Sequence, residues 1–142
     1  MKILFLCHGN ICRSPMAEFV MKDLLKKAGR TDVTVESAAL HTDEIGNDIH
    51  YGTRQKLTEK KVPFAPRAAW LLTAAKAREY DLLIGMDSYN IADLSVSSIP
   101  RTAARSSVCL SLRTSTVMWP IRGIRATSTR LGTIFSPDAR LC

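Results

Sequence analysis

The chain has 142 residues, a net charge of +7 and 46% apolar residues, which is enough for one ordinary core and one domain. It contains no apolar run of about 18 residues and opens with nothing like a signal peptide, so a cytoplasmic protein away from membranes is expected. Its four cysteines, Cys7, Cys12, Cys109 and Cys142, form no CxxC pair and would make a thin disulfide framework; reactive thiol chemistry fits them better.

Taken in chain order, Ile3-Leu4-Phe5-Leu6 reads as a short buried parallel strand. Ser14-Pro15 reads as a helix start, with Ser14 as the cap and Pro15 at the first helical position, and the helical spacing continues to a stop at Gly29. Val33 to Val35 is a second strand, followed by a polar loop from Thr42 to Asp48, a helix from Tyr51 to Lys61 and a break at Val62-Pro63. Ala74 to Glu79 is a further helical piece, and Tyr80 to Met86 a third strand. Alternating strands and helices predict a parallel sheet covered on both faces, with a site beyond the carboxyl ends of the strands.

Cys7 falls at such an end. The loop from His8 to Arg13 joins a strand to a helix, so its peptide N–H groups can converge on an anion with the helix dipole behind them. Gly9 eases the turn, Asn10 tolerates the left-handed conformation, and the guanidinium of Arg13 matches two phosphate oxygens. The same field favours a thiolate at Cys7, so one structure supplies a nucleophile and an oxyanion cradle. A lone cysteine at a strand end is more often plain packing; the complete constellation of strand, Cys, five residues, Arg, Ser, Pro and helix reverses those odds.

The run ILFLCHGNICRSPMAE resembles the phosphate-binding loop of low-molecular-weight protein tyrosine phosphatases, and the likeness continues through VESAALHTDEIGN, GTRQKL and YDLLIGMDSYN, over residues 1–94. The resemblance implies a three-layer α/β/α fold of the phosphotyrosine phosphatase I type with a four-stranded parallel sheet. It implies Cys7 as nucleophile, Arg13 as phosphate clamp, and His8, Gly9, Asn10, Ile11, Cys12, Arg13 and Ser14 as the phosphate-binding loop. Asn10, Ser14 and Ser37 would support that loop, and Cys12 would be the partner for a reversible disulfide with Cys7. It implies hydrolysis of phosphotyrosine proteins and aryl phosphates through a cysteinyl-phosphate, by a monomer that needs no metal or organic cofactor.

Two stretches depart from that pattern. Asp43 stands where many relatives have an aromatic cleft wall, which would weaken ring stacking and repel acidic peptides. Ala65-Pro66-Arg67-Ala68-Ala69 replaces the family's Ser-His-x-Ala-Arg, a change read here as one of local packing.

The tail departs most. Residues 1–94 hold 13 of the 20 Lys and Arg and 12 of the 13 acids, so nearly all the excess positive charge belongs to residues 95–142. The family's Asp-Pro-aromatic-Tyr general-acid loop is absent there; Asp138 is the only acid after Asp93 and matches it poorly, so no general acid is assigned. Yet codons for residues 117–135, read two bases later, can spell Asp-Val-Ala-Asp-Pro-Trp-Tyr-Thr-Gly-Asp-Phe-Asp. The unique codons of Met118 and Trp119 force the Val, and the junction of Trp119 with Pro120 forces the Ala. One domain, family-like to residue 94 and frameshifted from about Leu94 or Ser95, is therefore expected, with its fourth strand and last helix in doubt. On this reading the basic tail is a by-product of the shift and implies no nucleic-acid partner. Two other functions are weighed. A thioredoxin-coupled arsenate reductase would need two further redox cysteines after the third strand, and no Cys lies between Cys12 and Cys109. An acid-deficient phosphotyrosine-binding module would capture phosphate with little turnover.

Overall fold

The computed structural model describes residues 1–96 and 105–108. Its elements run β1 (Lys2–Cys7), α1 (Arg13–Lys27), β2 (Thr34–Ala39), α2 (Tyr51–Glu59), α3 (Ala74–Ala77), β3 (Leu82–Gly85), α4 (Ser88–Val96) and β4 (Arg105–Val108). All four strands are parallel, in the order β2-β1-β3-β4. β1 is central, paired on both sides, and everything in it after Lys2 is buried, which is why it reads as a continuous apolar run.

Strand alternation divides the layers. Leu4 and Leu6 of β1, Ala38 of β2 and Leu83 of β3 join Ala77 of α3 and Leu94 of α4 in one core cluster. The other face of the sheet meets α1, since Cys7 touches Ser14 and Ser37 touches Glu18, and α2 packs against α1. This is the expected three-layer arrangement. Among the described residues no helix is long and apolar enough to cross a membrane.

The structure corrects several sequence expectations. α1 begins at Arg13 with Cys12 as its N-cap, so Ser14 is not the cap and Pro15 is not the first helical residue. Proline is still accommodated there, because the N–H groups of a first turn have no intrahelical partner to lose. The hydroxyl of Ser14 is turned inward instead, as described below. β2 runs on to Ala39, three residues further than expected; Glu36 and Ser37 hid the strand from a search for apolar residues, while its register with β1 from Lys2↔Thr34 to Cys7↔Ala39 defines it. α2 ends at Glu59, and Lys61 takes a left-handed φ of 54°. α3 and β3 are shorter than their expected spans, and α4 was not anticipated.

The fourth strand, doubtful from sequence, is present: β4 pairs with β3 from Leu82↔Arg105 to Gly85↔Val108. Ladder hydrogen bonds use the backbone, so a short Ser/Val segment can supply them whatever the rest of the tail encodes. The expected loss of the last helix, and residues 109–142 of the proposed frameshifted segment, lie outside the described residues.

The strand order reverses between β1 and β3, which leaves a crevice beyond their carboxyl ends. The loop after β1 and Asp87, just after β3, both open onto that crevice.

Candidate active site

Cys7 is the last residue of β1, 3% exposed, with a free thiol. The Cys7–Cys12 disulfide implied by the family resemblance is therefore not formed in this structure; Cys12 is buried within the loop. From Cys7 the chain turns around the sulfur before entering α1. Its carbonyls are drawn outward: Cys7 O and His8 O accept from the Leu40 N–H, His8 O also from His41, Ile11 O from His50 and Cys12 O from Met16. Asn10 makes the turn with φ 59°, a conformation asparagine tolerates better than most residues. Gly9 serves differently from the expected easing of the backbone. A Cβ there would lie 2.7 Å from Cγ of Glu44, so its lack of a side chain makes room for the neighbouring segment.

Beneath the loop lies a buried polar floor. The Asn10 amide donates to Ser14 Oγ at 2.9 Å and to Ser37 Oγ at 2.8 Å. Ser14 Oγ is 3.0 Å from Cys7 Sγ. Ser37 donates to Glu18 Oε2 at 2.6 Å. Asn10, Ser14 and Ser37 are each at most 1% exposed, and Glu18 is 6% exposed. The structure thus gathers Cys7, Asn10, Ser14 and Ser37 into one connected group. Polar groups this deep are retained only when satisfied, and these satisfy one another.

Three residues enter the site that were not singled out from sequence. Arg67 joins the floor, with Nη1 donating to Glu18 Oε2 and Ser37 Oγ, both at 2.6 Å, and Nη2 to Asn10 Oδ1 at 2.6 Å and Ser37 O at 3.1 Å. The stretch read as a local packing change therefore reaches the loop itself. Its backbone is delivered by a strap laid along β2: Ala39 N–H bonds Trp70 O, Leu72 N–H bonds Ala39 O, and Arg67 N–H bonds Asp48 Oδ1. Those N–H bonds, from Ile49 first and Arg67 next, hold the Asp48 carboxyl below its usual range. Glu18, taken at first only as part of a helix start, is the buried counter-charge and also pairs with Lys22 at 2.5 Å. Asp87 holds Arg13 in an ion pair and caps α4 by accepting the Asn90 N–H at 2.8 Å. No local motif could reveal the roles of Arg67 and Asp87, because their partners lie 57 and 74 residues away.

The rim is built otherwise. His8 and His41 stack with ring centroids 4.2 Å apart. His8 pairs with Asp43 at 2.5 Å, and His41 with Asp93 at 2.9 Å. Asp43, noted for replacing an aromatic wall, thus has a partner on the phosphate loop itself. Among the described residues no group of three or more His, Cys, Asp or Glu side chains is arranged to hold a metal ion.

The protein-family model described as "Low molecular weight phosphotyrosine protein phosphatase" matches residues 2–113. The low molecular weight protein-tyrosine-phosphatase YfkJ of Bacillus subtilis is 38% identical over 93 residues, 65% of this chain and 60% of its own length. PtpA of Staphylococcus aureus, a protein of the same description, is 34% identical over 92 residues, 65% of this chain and 58% of its own. The chain thus spans about 60% of the length of these curated relatives. The crystal structure of YfkJ superposes with a TM-score of 0.69 at 32% identity, over 75% of this chain and 69% of that one. On these matches, the chain belongs to the low molecular weight phosphotyrosine protein phosphatase family.

Proposed function

We propose that this chain hydrolyses phosphotyrosine and aryl phosphate monoesters through a cysteinyl-phosphate intermediate, as a cytoplasmic monomer acting on phosphoproteins. The observation that carries this reading is the loop itself: a free thiol at a strand end, encircled by a turn whose carbonyls point outward, with an arginine at the head of the following helix. Outward carbonyls leave the inner side of the loop to peptide N–H groups, which suits a phosphoryl dianion.

In the first step the Cys7 thiolate attacks phosphorus, an S–P bond forms, and the P–O bond to the aryl group breaks. Arg13 and the loop amides take up the charge of the three equatorial oxygens. The leaving oxygen takes its proton from water or from a group outside the described residues. Water then attacks phosphorus, giving inorganic phosphate and regenerating the thiolate. Asp87 keeps the Arg13 fork at the crevice until a phosphate oxygen replaces its carboxylate.

We propose in addition that the reading frame changes at about Leu94 or Ser95. The coding DNA decides this: third bases in residues 117–135 that are incompatible with the shifted peptide overturn the proposal.

The functional test is hydrolysis of an activated aryl phosphate by the chain as it stands, by Cys7→Ser, and by a version with the restored frame. Activated leaving groups need little protonation, so activity abolished by Cys7→Ser is expected even without an acid loop. A chain that binds phosphate without turning over, while the restored version is active, would show that the tail disables catalysis. Inactivity of both overturns the phosphatase reading.

A further inference from the structure

The hydrogen bonds beneath the loop have a direction, and one residue imposes it. A guanidinium offers only donors, so the atom of Asn10 that meets Arg67 Nη2 at 2.6 Å must be the amide oxygen. Both amide hydrogens are then committed, one to Ser14 Oγ and one to Ser37 Oγ. Ser37, which also accepts from Arg67 Nη1, sends its own hydrogen to Glu18 Oε2. Ser14 already accepts from Asn10, so its hydroxyl hydrogen is left for the neighbour at 3.0 Å, the sulfur of Cys7. With the Asn10 amide reversed, Ser14 would face an acceptor and turn its hydrogen away from the sulfur. Nothing else among these contacts enforces the choice, since serine hydroxyls accept or donate equally well.

We propose that Arg67 is a positioning residue for the nucleophile: by fixing the Asn10 amide it keeps the Ser14 hydroxyl hydrogen on Cys7 Sγ, where it supports a thiolate. The inference rests on the reading of Cys7 as nucleophile and gives the substituted Pro66-Arg67 stretch a chemical role. The arginine touches neither the sulfur nor the phosphate site, and its side chain is 14% exposed. Its effect passes through Asn10 alone, which makes the inference testable by coupling.

The readout is the rate at which neutral iodoacetamide alkylates Cys7 at pH 7, followed by the mass of the Cys7 peptide, because only the thiolate reacts. Glu18→Gln is the reference background, so that removing the arginine leaves no unpaired buried carboxylate. Adding Arg67→Met to it is expected to slow alkylation about tenfold, the scale of losing a hydrogen bond to a charged group. With Asn10→Ala also present, the same Arg67→Met change is expected to alter the rate by less than about twofold. No slowing in the first comparison, or an equal tenfold loss in the second, overturns the inference. Arg67→Gln, closer in size and able to present either end of its amide, is the variant to use if the methionine form does not fold. It is expected to slow alkylation about threefold, and an unchanged rate overturns the inference equally. Aryl phosphate turnover by the unmodified chain is measured alongside. Its absence with the alkylation pattern intact defeats the phosphatase reading and leaves the role of Arg67 standing.

Discussion

The floor and the rim of the phosphate loop carry comparable numbers of polar contacts and put them to different use. On the floor, Asn10, Ser14, Ser37 and Glu18 are almost fully buried and satisfy one another. On the rim, the side chains of His8, Asp43, His41 and Asp93 are 54%, 63%, 42% and 42% exposed, and water can replace any partner they lose. The lesson is one of dielectric: the same hydrogen bond is expensive to break where water cannot follow and cheap where it can. The floor is therefore suited to fixing geometry, and the rim to being varied between proteins with the same chemistry.

The harshest test of this contrast is Asn10→Ala. It removes an amide that joins Ser14, Ser37 and Arg67 and puts alanine at φ 59°, so it is expected to cost about 2–4 kcal/mol in urea unfolding and to lower aryl phosphate kcat about a hundredfold. A loss under about 0.5 kcal/mol would erase the distinction between floor and rim. Next comes Ser37→Ala, which strands the donors of Asn10 and Arg67 and is expected to cost about 1–3 kcal/mol by the same measurement. Asp87→Asn, between the two regions, sharpens the comparison kinetically. It weakens the hold on Arg13, and kcat for an aryl phosphate is expected to fall about tenfold with little change in Tm.

A buried contact on the opposite face of the sheet adds a pH test. The Tyr80 hydroxyl donates to Glu36, and its pKa is raised, first by burial and then by the hydrogen bond and charge of Glu36. The folded value exceeds the unfolded one, so this contribution is complete below about pH 10 and is lost as pH rises beyond it. Tyr80→Phe is expected to flatten that alkaline limb of the stability profile; an unchanged limb would show that Tyr80 does not set it. Smallest of all, Asp43→Asn on the rim is expected to change stability by less than about 1 kcal/mol, with even that difference fading in high salt.

Legibility follows the same division. Cys7, Asn10, Arg13 and Ser14 lie within one short turn, where residue type and spacing announce an anion cradle. Ser37 was reached only through the family resemblance, since a serine in a strand carries no signal of its own. Arg67 and Asp87 could not be read at all, because their meaning lies in contacts that the sheet creates between distant segments. The central strand was plain because both its faces are buried, whereas β2 was underestimated because its polar residues serve the floor. For β4, side-chain pattern was the wrong signal, since its pairing with β3 is a matter of backbone.

The ties of the loop also have an order in time. A ribosome releases the nucleophile within the first 14 residues, but Ser37, Arg67 and Asp87 emerge much later. A nascent chain carrying only the loop holds a thiol with no assembled support, so the reactive geometry comes into being only once the domain is nearly made. By residue 87 every tie described here has been synthesised. A frame change at 94 or 95 would come just after that point, sparing the machinery that binds and attacks phosphate while rewriting the part that handles the leaving group.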